Sequence, residues 1–168
     1  MYKTIFLDMD GVLCDFDKHY LKLTGLDFHR FEYRQNAWDT LKPHNNTFFR
    51  DMPEMSDARE LVWGVHCLAM DYDYSVAILT AIPKIGRIPT ARIQKHFWID
   101  EHFNELSCAF NIGPHAQHKQ FHCIPGDILI DDSPKNIPQW DAVGGFGILH
   151  TSAAASLAML KTHLEKRT

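Results

Sequence analysis

Close to its N-terminus, at residues 4–12, the chain reads Thr-Ile-Phe-Leu-Asp-Met-Asp-Gly-Val. A short apolar run of this kind is typical of a strand that is buried on both faces of a parallel sheet. Two carboxylates, Asp8 and Asp10, follow this run directly. The pattern returns at residues 127–130, where a second apolar run leads into two further aspartates. We therefore predict two buried strands that each end in a pair of carboxylates.

Beyond these two runs, the chain alternates between strand-like and helical segments. Further strands are predicted at residues 75–79 and 147–149, with a weaker one at 107–110. Helices are predicted from a cap at Ser56 and Asp57 to about residue 70, at about 89–103, and from Thr151 or Ser152 onward. This alternation predicts a Rossmann-like, doubly wound α/β fold with a parallel sheet. Ligands of such folds bind at the carboxyl ends of the strands.

One segment, from residue 15 to about residue 52, lacks any evident strand and holds eight aromatic residues. We predict that it is a helical insertion after the first strand, lying over the carboxyl edge of the sheet. The expected division is an α/β core formed by residues 1–14 and 75–168, with residues 15–74 forming a helical cap insertion and its return helix.

Composition narrows the class of protein. The chain has 168 residues and a formal net charge of −4, which suits one compact domain and argues against a partner that is a nucleic-acid polymer. It has neither a signal-peptide pattern nor an apolar run of the ~20 residues that cross a bilayer, so no membrane association is expected. The four cysteines form no CxxC motif, which favours reduced thiols and a cytoplasmic protein. The oligomeric state stays open, a homodimer included.

The four aspartates at the two strand ends predict a cation site. Carboxylates gathered at low dielectric repel one another, so a cation is needed. Hard oxygen ligands with incomplete protein coordination favour Mg²⁺. The alternative is that Asp-Gly and Asp-Asp-Ser are only turn sequences, but their shared position after buried strands favours the site. Thr80 and the N–H of Ala81 follow another strand and could hold phosphate oxygens, as could the ammonium of Lys119.

These residues carry a resemblance to a known family. Asp8-Met9-Asp10-Gly11-Val12, followed by Thr80, Lys119 and Asp131-Asp132, resembles the four-part signature of the haloacid dehalogenase superfamily. The chain is similar to the 5′(3′)-deoxyribonucleotidase family in particular, at residues 8–16, 46–49 with Pro53, 78–83 and 126–132. It departs from that family in two places: Ala81 stands where Ser is common, and the spacing from Lys119 to Asp131 is slightly longer.

The resemblance implies a role for each matched residue. Asp8 would be the nucleophile that forms an aspartyl-phosphate, and Asp10 the general acid and base. Mg²⁺ would be held by the Asp8 and Asp132 carboxylates and the backbone carbonyl of Asp10, with Asp131 in support. Thr80, Ala81 and Lys119 would bind the phosphate. The nucleobase would enter an aromatic pocket formed by Phe16, Trp38 and Phe48.

The implied activity is Mg²⁺-dependent release of phosphate from (deoxy)nucleoside monophosphates. One alternative is a phosphatase of the same superfamily that acts on another small metabolite, such as a sugar phosphate. A second is a receiver-like signalling domain that accepts phosphate on aspartate. A receiver, however, carries its paired acids after the first strand and its phosphoacceptor later, and it has no use for the insertion. A third, an inactive nucleotide-binding relative, fits poorly because no required carboxylate is missing.

Overall fold

A computed structural model describes residues 3–31, 34–84, 87–112 and 116–166. Its centre is a five-stranded sheet made of β1 (Lys3–Leu7), β2 (Tyr74–Thr80), β3 (Phe110–Ile112), β4 (Ile128–Asp131) and β5 (Phe146–Leu149). The strand order is β3-β2-β1-β4-β5, and every neighbouring pair is parallel. This confirms the predicted doubly wound α/β fold.

Helices connect the strands. The α-helices are α1 (Phe16–Thr24), α2 (Arg34–Asp39), α3 (Ala58–Tyr72), α4 (Ala91–His102), α5 (Asn136–Asp141) and α6 (Ala153–Glu165). Short 3₁₀ helices cover Phe28–Arg30, Lys42–His44, Asn104–Ala109 and Ala116–His122. None of the helices in the described part of the chain is both long enough and apolar enough to cross a membrane.

The sheet is covered on both faces, as its apolar strands require. Ile5 and Leu7 of β1 join the larger core, to which the buried residues of α3 and α6 also belong. Phe6, between them in the chain, points to the opposite face and packs edge-to-face on Trp140 of α5 at 5.6 Å between ring centroids. The alternation of a strand thus sends neighbouring residues into two separate cores.

The register brings the strand ends level. Leu7 pairs with Ile78 of β2 on one side and with Ile130 of β4 on the other. The residues that follow, Asp8 and Asp131, therefore meet at the same edge of the sheet. The predicted gathering of carboxylates at this edge follows directly from the pairing.

One local prediction is wrong, and a second holds only in part. The strand predicted at residues 107–110 is a 3₁₀ helix up to Ala109, and β3 starts only at Phe110. The reason is that β3 pairs only with the last residues of β2, Ile78–Thr80. The second concerns the cap of α3: Asp57 is the N-cap residue, as predicted, but its side chain makes no bond to the helix. Its carboxylate instead accepts a 2.7 Å bond from the N–H of Ala153, at the start of α6.

The segment from residue 15 to about 52 is helical, as predicted. Among residues 15–31 and 34–52, the structure contains α1, α2 and two 3₁₀ helices and no strand. Phe16 packs against five other rings, namely those of Tyr20, Phe28, Trp38, Phe48 and Phe49. Tyr33, another of the eight aromatic residues in this segment, lies outside the described residues. The division of the chain into a core and a cap stays a prediction.

Candidate active site

Three carboxylates converge at the carboxyl edge of the sheet. Oxygens of Asp8, Asp131 and Asp132 all lie within 4.8 Å of one another. Asp8 and Asp131 are buried, whereas Asp132 is exposed. Asp8 and Asp132 both line a cavity above this edge, and so does Asp10. The two carboxylate pairs predicted from the sequence therefore occupy one small volume.

Lys119 lies inside this cluster. It belongs to the 3₁₀ helix Ala116–His122, and its Nζ is 2.7 Å from Asp8 Oδ1 and 2.7 Å from Asp131 Oδ2. Burial alone would lower the pKa of Lys119, but the two carboxylates raise it above its ordinary value. The lysine is therefore a fixed positive charge between β1 and β4, despite its unusual spacing in the sequence.

Asp131 is fully committed to neighbouring donors. Its Oδ1 accepts bonds from the N–H of Ser133 at 2.8 Å and from Asn136 Nδ2 at 3.0 Å. Its Oδ2 accepts from Lys119 Nζ at 2.7 Å and from Asn136 Nδ2 at 2.9 Å. A carboxylate that already accepts four bonds is suited to holding other groups in place rather than to binding a ligand.

The other two carboxylates, those of Asp8 and Asp132, have raised pKa values. Burial raises the pKa of Asp8 to about 7, although Lys119 opposes this shift and the neighbouring aspartates add to it. Although Asp132 is exposed as a residue, partial desolvation of its carboxylate in the cavity, followed by repulsion from Asp131, raises its pKa to about 6. Both shifts have the direction that removal of a carboxylate from water produces, and repulsion from the neighbouring aspartates adds to it. A bound cation would relieve them.

The residues present fit a divalent cation. The floor of the cavity and its surroundings hold four carboxylates (Asp8, Asp10, Asp131 and Asp132) and two ammonium groups (Lys95 and Lys119). The carboxylates outnumber the ammonium groups, so a bound cation would balance the excess of acidic groups. Because Asp131 is committed elsewhere, Asp8 and Asp132 are the side chains that could hold it.

Gly11 allows this close packing. Its φ is +78°, and a Cβ built at this position would collide with the carboxylate of Asp132. A residue with a side chain would be strained in this left-handed conformation and would also displace the acid. The Asp-Gly turn after β1 thus makes room for Asp132.

A second lysine, Lys95, was not predicted from the sequence. It comes from the inward face of α4, is fully buried, and donates to Asp10 Oδ2 at 2.6 Å and to Thr80 Oγ1 at 2.8 Å. The sequence does contain a signal for it, because the helical period places Lys95 on the same face of α4 as the buried residues Ala91, Trp98 and Ile99. A lysine among such residues is unusual unless it is paired.

The phosphate-binding candidates differ in their access to the cavity. Ala81 and Lys119 both line the cavity. Thr80 is fully buried at the end of β2 and accepts the bond from Lys95. Because Lys95 donates to the Thr80 oxygen, the hydroxyl proton is directed toward another acceptor, and the Ala81 carbonyl lies 3.5 Å away.

The cavity has a volume of about 320 Å³ and pairs its acidic floor with aromatic walls. Of the three predicted pocket residues, Phe16 and Trp38 line it. Phe48 lies in the core instead, with ring centroids 5.3 Å from Phe16 and 5.2 Å from His19. Its place on the wall is taken by Phe49, and Phe28 contributes a further ring that the sequence did not single out.

Comparison with known proteins identifies a family for this chain. A family model described as "5′ nucleotidase, deoxy (Pyrimidine), cytosolic type C protein" matches residues 2–158. No curated protein matches the chain. Two similar solved structures are an uncharacterized protein from Corynebacterium glutamicum (13% identity, 98% of this chain and 96% of the other, TM-score 0.49) and a hydrolase from Streptococcus pneumoniae (12% identity, 98% of both chains, TM-score 0.49). Because the family model covers most of the chain, the protein belongs to the deoxy (pyrimidine) cytosolic type C 5′ nucleotidase family, which makes it a hydrolase of the haloacid dehalogenase type.

Proposed function

We propose that the protein is a Mg²⁺-dependent phosphatase that removes phosphate from deoxynucleoside monophosphates through a phosphoaspartate at Asp8. The observation that carries this proposal is the cavity itself. Its floor presents Asp8, Asp10, Asp132 and Lys119, and its walls present aromatic rings. A phosphate group suits the floor, and a nucleobase suits the walls.

In the first half of the reaction, a carboxylate oxygen of Asp8 attacks the phosphorus. A new bond forms between this oxygen and phosphorus while the bond from phosphorus to the nucleoside oxygen breaks. Asp10 gives its proton to the departing nucleoside oxygen. Lys119, which is 2.7 Å from Asp8 Oδ1, orients the nucleophile.

In the second half, water attacks the phosphorus of the phosphoaspartate. Asp10, now ionised, takes a proton from the water as the bond between Asp8 and phosphorus breaks. Inorganic phosphate leaves, and both aspartates return to their starting states. Asp10 can serve in both halves because its side chain is 31% exposed and reaches the cavity.

The transferred phosphoryl group carries negative charge that must be balanced. The Thr80 hydroxyl, the N–H of Ala81 and the Lys119 ammonium are the donors proposed for its oxygens. The chain lacks a hydroxyl at residue 81, so the backbone N–H is the contact that Ala81 can supply. The Asp8 and Asp132 carboxylates and the backbone carbonyl of Asp10 would hold Mg²⁺, which would supply positive charge to the phosphoryl oxygens.

The walls favour a nucleotide over a smaller phosphate ester. Stacking of a base on aromatic rings is worth ~1–3 kcal/mol and tolerates different bases. Phe16 and Trp38, which are only partly buried, provide such surfaces, and the buried rings of Phe28 and Phe49 pack behind them. A volume of about 320 Å³ is at the small end of the range for ligand pockets, which suits a monomeric nucleotide rather than a polymer. Activity in the cytosol is consistent with the description of the family.

The test is release of inorganic phosphate from a panel of deoxynucleoside, ribonucleoside and sugar monophosphates, with Mg²⁺ and with a chelator. We expect a deoxynucleoside monophosphate to be hydrolysed fastest and activity to vanish with the chelator. Faster hydrolysis of a sugar phosphate than of every nucleotide would favour the metabolite-phosphatase alternative. Full activity in the presence of the chelator would overturn the proposed metal dependence.

A further inference from the structure

We propose that Lys95 is a positioning residue that holds the Asp10 carboxylate for proton transfer. This inference rests on the function proposed above. Helix α4 contributes none of the signature aspartates, but through Lys95 it would take part in the chemistry at the end of β1.

The contacts of Lys95 define its task. Its ammonium is bonded to Asp10 Oδ2 at 2.6 Å and to Thr80 Oγ1 at 2.8 Å, and it lies 4.7 Å from the centroid of the Phe49 ring. Thr80 and Phe49 thus fix the ammonium, and the ammonium in turn fixes one oxygen of Asp10. The other oxygen, Asp10 Oδ1, has the Cys14 thiol 3.7 Å away and no lysine of the described residues bonded to it, and it is the one we assign to proton exchange with the substrate.

Helix α4 is itself held firmly against the rest of the site. Gln94 accepts a 2.8 Å bond from the N–H of Phe49 and donates a 2.6 Å bond to the carbonyl of Asn45. Trp98 donates a 2.7 Å bond from its ring N–H to the carbonyl of Met52. These bonds fix the residue before Lys95 and the residue one turn after it, so the lysine is presented from a rigid support.

A purely stabilising role explains the pair less well. Lysine is almost never fully buried unless it is paired, and the exposed surface of Lys95 is 0%. A buried ion pair is weak evidence for stability, because apolar side chains of similar size often replace one at no cost. An apolar side chain at residue 95 could pack against the ring of Phe49, which lies beside the Lys95 ammonium. Keeping a lysine instead makes sense if Asp10 needs a fixed partner.

The pair also differs from the one formed by Lys119. Lys119 joins Asp8 to Asp131 and so links the nucleophile to β4. Lys95 does not share these partners and joins Asp10 to the end of β2. Each of the two proposed catalytic aspartates therefore has a lysine of its own, which predicts that the two lysines affect different parts of the reaction.

The experiment measures kcat/KM of wild type, Lys95→Met, Asp10→Asn and the double variant on a deoxynucleoside monophosphate and on p-nitrophenyl phosphate. kcat/KM reports the steps up to phosphorylation of Asp8. A nucleoside oxygen must be protonated as it leaves, whereas p-nitrophenolate needs no proton. General acid catalysis is worth roughly 10²–10⁴-fold, so we expect the loss in Lys95→Met to be at least about tenfold larger on the nucleotide than on p-nitrophenyl phosphate. A loss shared by both substrates reports the contact of Lys95 with Thr80.

The double variant tests whether Lys95 acts through Asp10. Once Asp10 is already Asn, we expect Lys95→Met to cost no more on the nucleotide than on p-nitrophenyl phosphate, because coupled residues do not contribute independently. An equal loss in both backgrounds, or an equal loss on both substrates, overturns the inference. Lys161→Met, an exposed site on α6, is the control for loss of a lysine charge.

Two further outcomes keep the inference separate from the proposed function. If the wild-type protein releases no phosphate from any monoester, the proposed function fails. If it is active but Lys95→Met leaves the ratio of the two substrates unchanged, only the role of Lys95 fails. Should thermal melting show that Lys95→Met does not fold, Lys95→Gln, which keeps a donor without the charge, is measured against the same criteria.

Discussion

Removing the Trp38 ring should weaken nucleotide hydrolysis far more than hydrolysis of a small ester. The ring lines the cavity and packs edge-to-face on Phe16 and Phe28, with centroids at 6.0 and 5.3 Å. Stacking of a base is worth ~1–3 kcal/mol, which converts to roughly a 5- to 150-fold loss of kcat/KM. We expect this loss for Trp38→Leu on a deoxynucleoside monophosphate, measured by phosphate release. p-Nitrophenyl phosphate should lose much less, because Asp8 is untouched.

Phe48→Leu is the matched control for this prediction. Phe48 belongs to the same aromatic cluster but lies in the core away from the cavity wall. Its replacement should lower stability, on the order of 1 kcal/mol, and leave the ratio of the two substrates unchanged. Equal losses on both substrates in Trp38→Leu would refute the reasoning, since the ring would then only hold the aromatic cluster together.

Three other changes test separate parts of the structure. Gly11→Ala should raise the Mg²⁺ concentration needed for half-maximal activity, because the new Cβ would meet the Asp132 carboxylate. Gly25→Ala is the control: Gly25 has a similar φ of +70° but open space around it, so that Mg²⁺ concentration should stay unchanged. Asp57→Ala removes the bond to the first residue of α6 and should cost about 1–2 kcal/mol of unfolding free energy, measured by urea denaturation. Burial lowers the pKa of His150, so the unfolded chain binds more protons and stability falls as pH drops from 7 toward 5. His150→Gln should flatten this fall, by at most about 1.4 kcal/mol per pH unit, in unfolding measured across that range.

The sequence was sufficient where local pattern determines position. Apolar runs that end in carboxylates predict buried strands, and parallel strands bring their carboxyl ends to one edge. The sequence alone therefore places Asp8, Asp10 and Asp132 together. Lys119 is identified by its order in the chain, and the structure places it in contact with Asp8.

The sequence was insufficient where long-range contacts determine orientation. Residues 45–50 form consecutive turns with no regular period, so nothing local determines whether Phe48 or Phe49 faces the cavity. One long-range contact that orients this segment is the bond from the N–H of Phe49 to Gln94, which is 45 residues away. Lys95 was missed for the same reason, since its partner Asp10 is 85 residues distant.

The central claim is that Asp8 carries the phosphoryl group. It is tested most directly by quenching the enzyme in acid during turnover of a deoxynucleoside monophosphate whose phosphate is radiolabelled, and then treating the protein with hydroxylamine. We predict that label bound to the protein is released by hydroxylamine, and that mass spectrometry finds the resulting hydroxamate at Asp8. Asp8→Asn should bind no label and release no phosphate. Label on any other residue, or phosphate release by Asp8→Asn at the wild-type rate, would contradict the account.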